Sequence, residues 1–462
     1  MPFKAWGVAG GLLLIATILP LGPLHAAQEP VMRVLVFEAN QLRFRADGNQ
    51  PLLVLGIGPN LKRVSTLKIR KINGRFTLAI NGSSSRWSHL SSNTQLRVKT
   101  KDPRGIWLGK RRYSGELRVF VRGGRLKVVN HLGVEKYLAS VVGSEMPKSW
   151  PMAALKAQAV AARTYALQQV DKKDFYDINS TVANQVYLGI EAETESTRRA
   201  VANTRSLVLT YQGRLINAVF HSSSGGATEA SGAVWKQQMP YLVSVPSHDH
   251  HSPYSEWRMK FDPNELKDAF SEIGGAKNVQ VLSSSNTGRV LTARVDGPRG
   301  DLELTGHELR RRLGLKSTLV SFAMISEEPV VNTQASKPAS SVGIKFVSPL
   351  NNNKQTSIFS RRNWTLTDYR PGHVDHTLLF PPPLPSPNDV SVQPPPLLVW
   401  KTPPPLPPLL KKNVLLVKGS GSGHGVGMSQ WGAHGLAHKG IDFRKILTYY
   451  YKNVEIRRFA AT

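Results

Sequence analysis

A chain of 462 residues with 40% hydrophobic and 8% aromatic residues is long enough for two or three domains and can bury a sizeable core, which excludes wholesale disorder. It contains no cysteine, so disulfides, thiolate nucleophiles, iron–sulfur clusters and thiolate zinc sites are excluded. Sixty Lys plus Arg against 31 Asp plus Glu give a formal charge of +29, which predicts adhesion to a polyanion. On charge alone, nucleic acid, anionic membrane and acidic wall polymer all remain open.

Lys4 precedes an apolar run from Ala5 to Leu19, which Pro20 closes, and small and turn residues follow down to Ala26-Ala27. This is the pattern of a secretory signal over residues 1–27. The run is shorter than the roughly 20 residues of a membrane-spanning helix. Leu24 or His25 falls where signal cleavage prefers a small residue, so an uncleaved membrane anchor stays open. The expectation is export to the periplasm or cell envelope, which argues against nucleic acid as the partner.

From Val31 to about Asn130, short apolar runs alternate with Gly, Asn and Asp. A β-rich module is expected over 28–104, followed by a mixed core over 105–326. Arg122-Gly123-Gly124-Arg125 separates two strand-like runs and reads as a hairpin. Pro151 to Val170 is rich in Ala and Leu and lacks Gly, which predicts a helix with Ser149 as its cap. A second helix is expected over 193–204, with further short strands after it. Between 327 and 412 the composition shifts, and Pro381 to Pro408 holds 13 prolines in 28 residues. That run reads as a polyproline-like spacer, with docking into an aromatic groove as the alternative. Residues 343–379 resist assignment. The core resumes over 413–462 and ends in a helix from Phe443 to Tyr451. No internal repeat is evident. The expected fold class is α+β, a mixed sheet packed on the Ala-rich helix and interrupted by the Pro-rich insertion.

The densest chemistry runs from Val134 to Leu167. Glu145 is a lone carboxylate at what reads as a strand-to-helix junction, with Val141, Val142, Met146 and Trp150 available as an apolar wall. Such a wall raises a carboxyl pKa and suits it to donate a proton near neutrality, whereas a nearby helix N-terminus favours the anion. The alternative is that Glu145 only caps the helix. Lys156 and Arg163 share a helix face, either as a solvated stripe or as a grip on a carboxylate or sugar oxygens. Gln185 and Tyr187 share a strand face, suited to a sugar or to an ordinary half-buried strand. His221-Ser222-Ser223-Ser224-Gly225-Gly226 forms a polar lip after an apolar strand. Gly419 to Gly432 is glycine-rich around His424 but lacks the Lys-Ser/Thr pair of a P-loop, so nucleotide binding is rejected. His248-Asp249-His250-His251 could ligate a metal, but adjacent side chains converge poorly on one ion, and an exposed loop is the default. No nucleophile elbow supports a serine triad.

The run from Glu135 to Leu167, the Gln185-Val186-Tyr187-Leu188-Gly189 stretch, the His221–Gly226 lip and Gly423-His424-Gly425-Val426-Gly427-Met428-Ser429-Gln430 resemble, in this order, the stage II sporulation protein D family, which includes the amidase-enhancer proteins. The resemblance covers most of 110–325 and 412–457. It implies a lytic transglycosylase that cleaves peptidoglycan glycan strands, preferably stripped of stem peptides, to 1,6-anhydro-muramic acid ends. The family's catalytic Glu falls on Glu145. Gln158, Arg163, Gln185, Tyr187, His221, Ser222, Ser224, His424 and Gln430 are then the expected substrate-binding residues. No cofactor is expected. The rival reading is a non-catalytic wall-binding enhancer of an N-acetylmuramoyl-L-alanine amidase, with that amidase as partner. A third is a scaffold acting through the Pro-rich arm. The chain departs from the family in three places. Ala153 stands where many members have Glu, which weakens a helix cap. The cysteines with which some members bind zinc near the lip are missing, so no zinc is expected there. The insertion splits the last motif from the rest, so Gly423–Gln430 must fold back beside Glu145.

Overall fold

The computed structural model describes residues 29–81, 88–90, 95–170, 174–182, 184–235, 237–327 and 412–459. The expected signal segment, the 343–379 stretch and the proline run lie outside them.

The first part of the chain alternates strands with tight turns: β1 (Val31–Ala39), β2 (Gln41–Ala46), β3 (Leu52–Gly56), β4 (Gly58–Val64), β5 (Thr66–Ile72), β6 (Arg75–Ile80), β7 (Ser88–Leu90), β8 (Leu96–Thr100), β9 (Ile106–Leu108), β10 (Arg111–Tyr113), β11 (Glu116–Arg122) and β12 (Arg125–Gly133). Two sheets result, ordered β1-β12-β11-β8-β3-β4 and β10-β9-β2-β5-β6-β7. Alternate residues of β1, namely Met32, Val34 and Val36, point into the core. The β11–β12 hairpin turns on Gly123 and Gly124, both at positive φ as its two-residue turn requires. The boundary drawn at 104 has no counterpart in these sheets. β1 pairs with β12, β8 pairs with β11, and one hydrophobic cluster runs from Met32 to Tyr451.

Two helices follow β12 directly, α1 (Val134–Glu145) and α2 (Met152–Gln168). Met146 is extended, as a residue before proline must be, and Pro147 ends α1. The junction at Glu145 is therefore helix-to-helix, not strand-to-helix. Pro151, not Ser149, occupies the N-cap of α2, and no side chain caps it. Small alanines let α2 be buried on nearly every side, where it packs against α1, α3 (Glu195–Ala202) and later elements. Between them β13 (Ile178–Asn179) adds in parallel to β1.

The chain continues through β14 (Leu207–Tyr211), β15 (Arg214–Leu215), β16 (Phe220–His221), α4 (Ser231–Val234), β17 (Trp257–Phe261) and α5 (Pro263–Ala269). An antiparallel sheet follows, β18 (Asn278–Ser284), β19 (Val290–Gly297) and β20 (Gly300–Thr305), with α6 (Gly306–Leu313) packed on it. β21 (Val320–Glu327) and β22 (Lys412–Gly419) pair antiparallel from Val320↔Gly419 to Glu327↔Lys412. The insertion thus leaves and re-enters on paired residues. These strands, with β17, enclose a second hydrophobic cluster around Trp257, Phe270, Leu309 and Leu415. β23 (Met428–Ser429), α7 (Gln430–His438), α8 (Phe443–Tyr450) and β24 (Glu455–Arg458) return to the first core, where β24 pairs with β14.

Candidate active site

A cleft of about 540 Å³ lies where the two cores meet. Its lining includes Glu145, Tyr165, Asn184, Val186, Phe220, His221, Ser222, Trp235, Arg310, Ser422, His424 and Gln430. The volume falls in the range of ligand sites, roughly 300–1,000 Å³.

Glu145 ends α1. Its Oε1 accepts from the Val186 backbone N–H at 3.0 Å, and its Oε2 from the Gln430 side-chain amide at 3.2 Å. Burial pushes its pKa above the ordinary glutamate range, against the pull of those two hydrogen bonds. The C-terminal position in α1 works in the same direction as burial, because that end of a helix disfavours an anion. The apolar surround is not the one the sequence suggested. Val141, Val142 and Met146 are core residues, and Trp150 packs edge-on against Trp431 and at a tilt against His434. Val186, Val219, Phe220 and Tyr165 line the cleft instead.

Both cleft histidines are held neutral. His221 Nδ1 lies 3.0 Å from the Val426 carbonyl, which can only accept, so Nδ1 carries the proton. Nε2 then accepts from the Ser224 hydroxyl at 3.1 Å. His424 Nε2 donates to the Phe220 carbonyl at 3.1 Å, and its Nδ1 accepts from the Val426 N–H at 3.1 Å. Burial, reinforced by nearby cationic arginines, lowers both pKa values, that of His424 to about 4. With both nitrogens of each ring engaged, neither histidine is a free base.

The last motif does fold back. β16 and β23 pair in parallel, Phe220 with Met428 and His221 with Ser429. Ser223 and Ser422 exchange backbone hydrogen bonds at 3.0 and 2.7 Å. Asp249 ties these strands together from beneath. Buried, it accepts from the Ser223 and Ser429 hydroxyls, each at 3.0 Å, and from the backbone N–H groups of Ser224, Gly225 and Gly226. Ser429 in turn caps α7, which starts at Gln430. The His248–His251 run is therefore not simply an exposed loop: His248 is half-buried and Asp249 is an internal anchor. His251 contacts His434 at 3.1 Å. Among the described residues, no group of three or more His, Asp or Glu is arranged to hold a metal ion.

Of the residues expected to bind substrate, His221, Ser222, His424 and Gln430 line the cleft with Glu145, and Ser224 holds the His221 ring from behind. Four others are core residues. Arg163 is buried in an ion pair with Glu135 at 2.7 Å and donates to the Leu207 carbonyl, clamping α2 to α1 and β14. Gln185 bridges the Tyr137 hydroxyl and the Ala162 carbonyl. Tyr187 donates to Asn130 at 2.8 Å. Gln158 is wholly buried, and among the described residues its amide meets no hydrogen-bond partner. Residues 185–189 form no strand, contrary to expectation, and Gln185 and Tyr187 both point inward. Val186 between them faces the cleft and offers its N–H. Asp249, Trp235, Asn184 and Arg310 were not anticipated in these roles.

Residues 122–211 match the model of the stage II sporulation protein family. An uncharacterized protein of Brachyspira hyodysenteriae is 30% identical over 357 residues, covering 76% of this chain and 74% of that protein. The amidase enhancer of Bacillus subtilis is 27% identical over 344 residues, but the match spans only 40% of it. The stage II sporulation protein D of Bacillus subtilis is 32% identical over 209 residues, covering 41% of this chain and 60% of that protein. With residues 122–211 matching the family's model, and with these relatives alongside, the chain belongs to the stage II sporulation protein D family.

Proposed function

We propose that the protein is an exported peptidoglycan lytic transglycosylase with Glu145 as its single acid and base. Family membership supports a role at the cell wall. The observation that carries the finer reading is that Glu145 is the one carboxylate among the residues lining the cleft. Hydrolytic glycosidases need two carboxyl groups. A lytic transglycosylase needs one. Protonated Glu145 gives its proton to the glycosidic oxygen, and the bond to the anomeric carbon breaks. The resulting carboxylate takes the proton from the C6 hydroxyl of the same muramic acid, whose oxygen closes onto that carbon as a 1,6-anhydro ring. Proton and bond counts balance, and no water is consumed. A raised pKa keeps the acid loaded to higher pH than an ordinary glutamate.

Digestion of stripped glycan strands tests this. Glu145→Gln is expected to lower the yield of anhydro-ended products by about 10²–10⁴-fold. Undiminished product from the variant ends the proposal. The similarity to the amidase enhancer favours a second reading, stimulation of a wall amidase without bond cleavage. That reading predicts amidase activity that rises on mixing and is indifferent to Glu145→Gln.

A further inference from the structure

We propose that Arg310 is the specificity residue of the cleft, its guanidinium gripping a free carboxylate borne by the glycan, the uncapped lactyl group of a muramic acid. The inference rests on the reading of the cleft as a glycan site.

Three arginines follow one another on α6, and they have different fates. Arg312 pairs with Glu272 at 2.8 Å, and Arg311 is exposed. Arg310 alone lines the cleft. It is held in place at both ends by Leu315. The Leu315 N–H donates to the Arg310 carbonyl at 2.9 Å, and Arg310 Nε donates to the Leu315 carbonyl at 3.1 Å. Gly314, in the left-handed conformation that ends α6, makes that return possible. The terminal nitrogens find no partner among the described residues, and Arg310 forms no salt bridge there. Burial lowers its pKa, and no acidic neighbour offsets that loss. A half-buried cation with its solvation reduced and no counterion is stabilised when a ligand supplies one.

The charges in the cleft point the same way. Glu145 is biased towards its neutral acid, and both histidines are neutral. Among the described residues Arg310 is then the one full charge in the lining, and its planar fork matches a carboxylate in bidentate geometry. A stem peptide converts the lactyl carboxylate to an amide, which removes the anion and sets bulk against the fork.

The experiment measures binding and cleavage separately on two preparations of glycan strands, one with free lactyl carboxylates and one methyl-esterified. The wild type is expected to bind the free form about tenfold more tightly. Arg310→Gln should bind both alike, and Arg310→Lys should retain part of the preference. A wild type that does not distinguish the two forms overturns the assignment, and this needs no variant to fold. So does an Arg310→Gln variant that keeps the full preference. A preference with no anhydro product supports Arg310 as the carboxylate reader while sinking the transglycosylase. Product without preference does the opposite.

Discussion

Glu145 sits in a contest between burial, which favours its protonated form, and two donors that favour its anion. On the proposed role Glu145 must start protonated, so activity is expected to fall as pH rises through its pKa, with that limb above the ordinary glutamate range. Removing the Gln430 amide takes away one of the two opposing donors. Gln430→Met is therefore expected to move the high-pH limb of kcat/KM further up, read from a pH–rate profile on stripped strands. A limb that stays or moves down contradicts this account. Glu145 could be singled out in the sequence because its proposed role belongs to a side chain. Val186 was not, because its contribution is a backbone N–H that every residue but proline owns. For Gln185 and Tyr187, a spacing of two shows that they share a face and is silent on which face is wet. Nothing in a run of three arginines marks the first as the one turned inward.

At the scale of elements, the site is two short parallel strands held by one carboxylate. Asp249→Ala would leave five donors around a buried void. A loss of about 3 kcal/mol is expected in denaturant unfolding, with weakened substrate binding. A loss below about 1 kcal/mol would mean water replaces the carboxylate easily. The Ala-rich helix was legible, since fourteen of its seventeen residues are strong helix formers and leave little choice. Helix α7 was not. It carries Gly432 and Gly435, which lower helix propensity, yet both sit where a Cβ would collide, at 1.9 Å from the Tyr450 hydroxyl and 2.1 Å from the His248 carbonyl. Tertiary crowding chose those residues against local preference. Helix α1 was hidden because it follows β12 without a capping side chain.

For the whole molecule, the α+β class and the interrupted core could be read from composition and period, whereas the joining of the N-terminal strands to the core could not. β1 meets β12 across some ninety residues of chain, and pairing at that distance leaves no local mark. The split of the last motif by the insertion proves harmless to the cleft, because Glu327 and Lys412 face each other in one ladder. Replacing residues 329–410 by an Asn-Gly turn is expected to leave the thermal midpoint within about 3 °C and cleavage of stripped strands within about twofold. Collapse of either would show that the excursion contributes to the core.

That ladder has an evolutionary consequence. An excursion whose two feet stand side by side is thermodynamically a closed ring, and doubling such a ring costs only about 0.6 kcal/mol. Lineages could stretch, trim or exchange the tract between the feet with little effect on the paired strands that bound it. Length variation among related proteins should therefore concentrate at this one doorway.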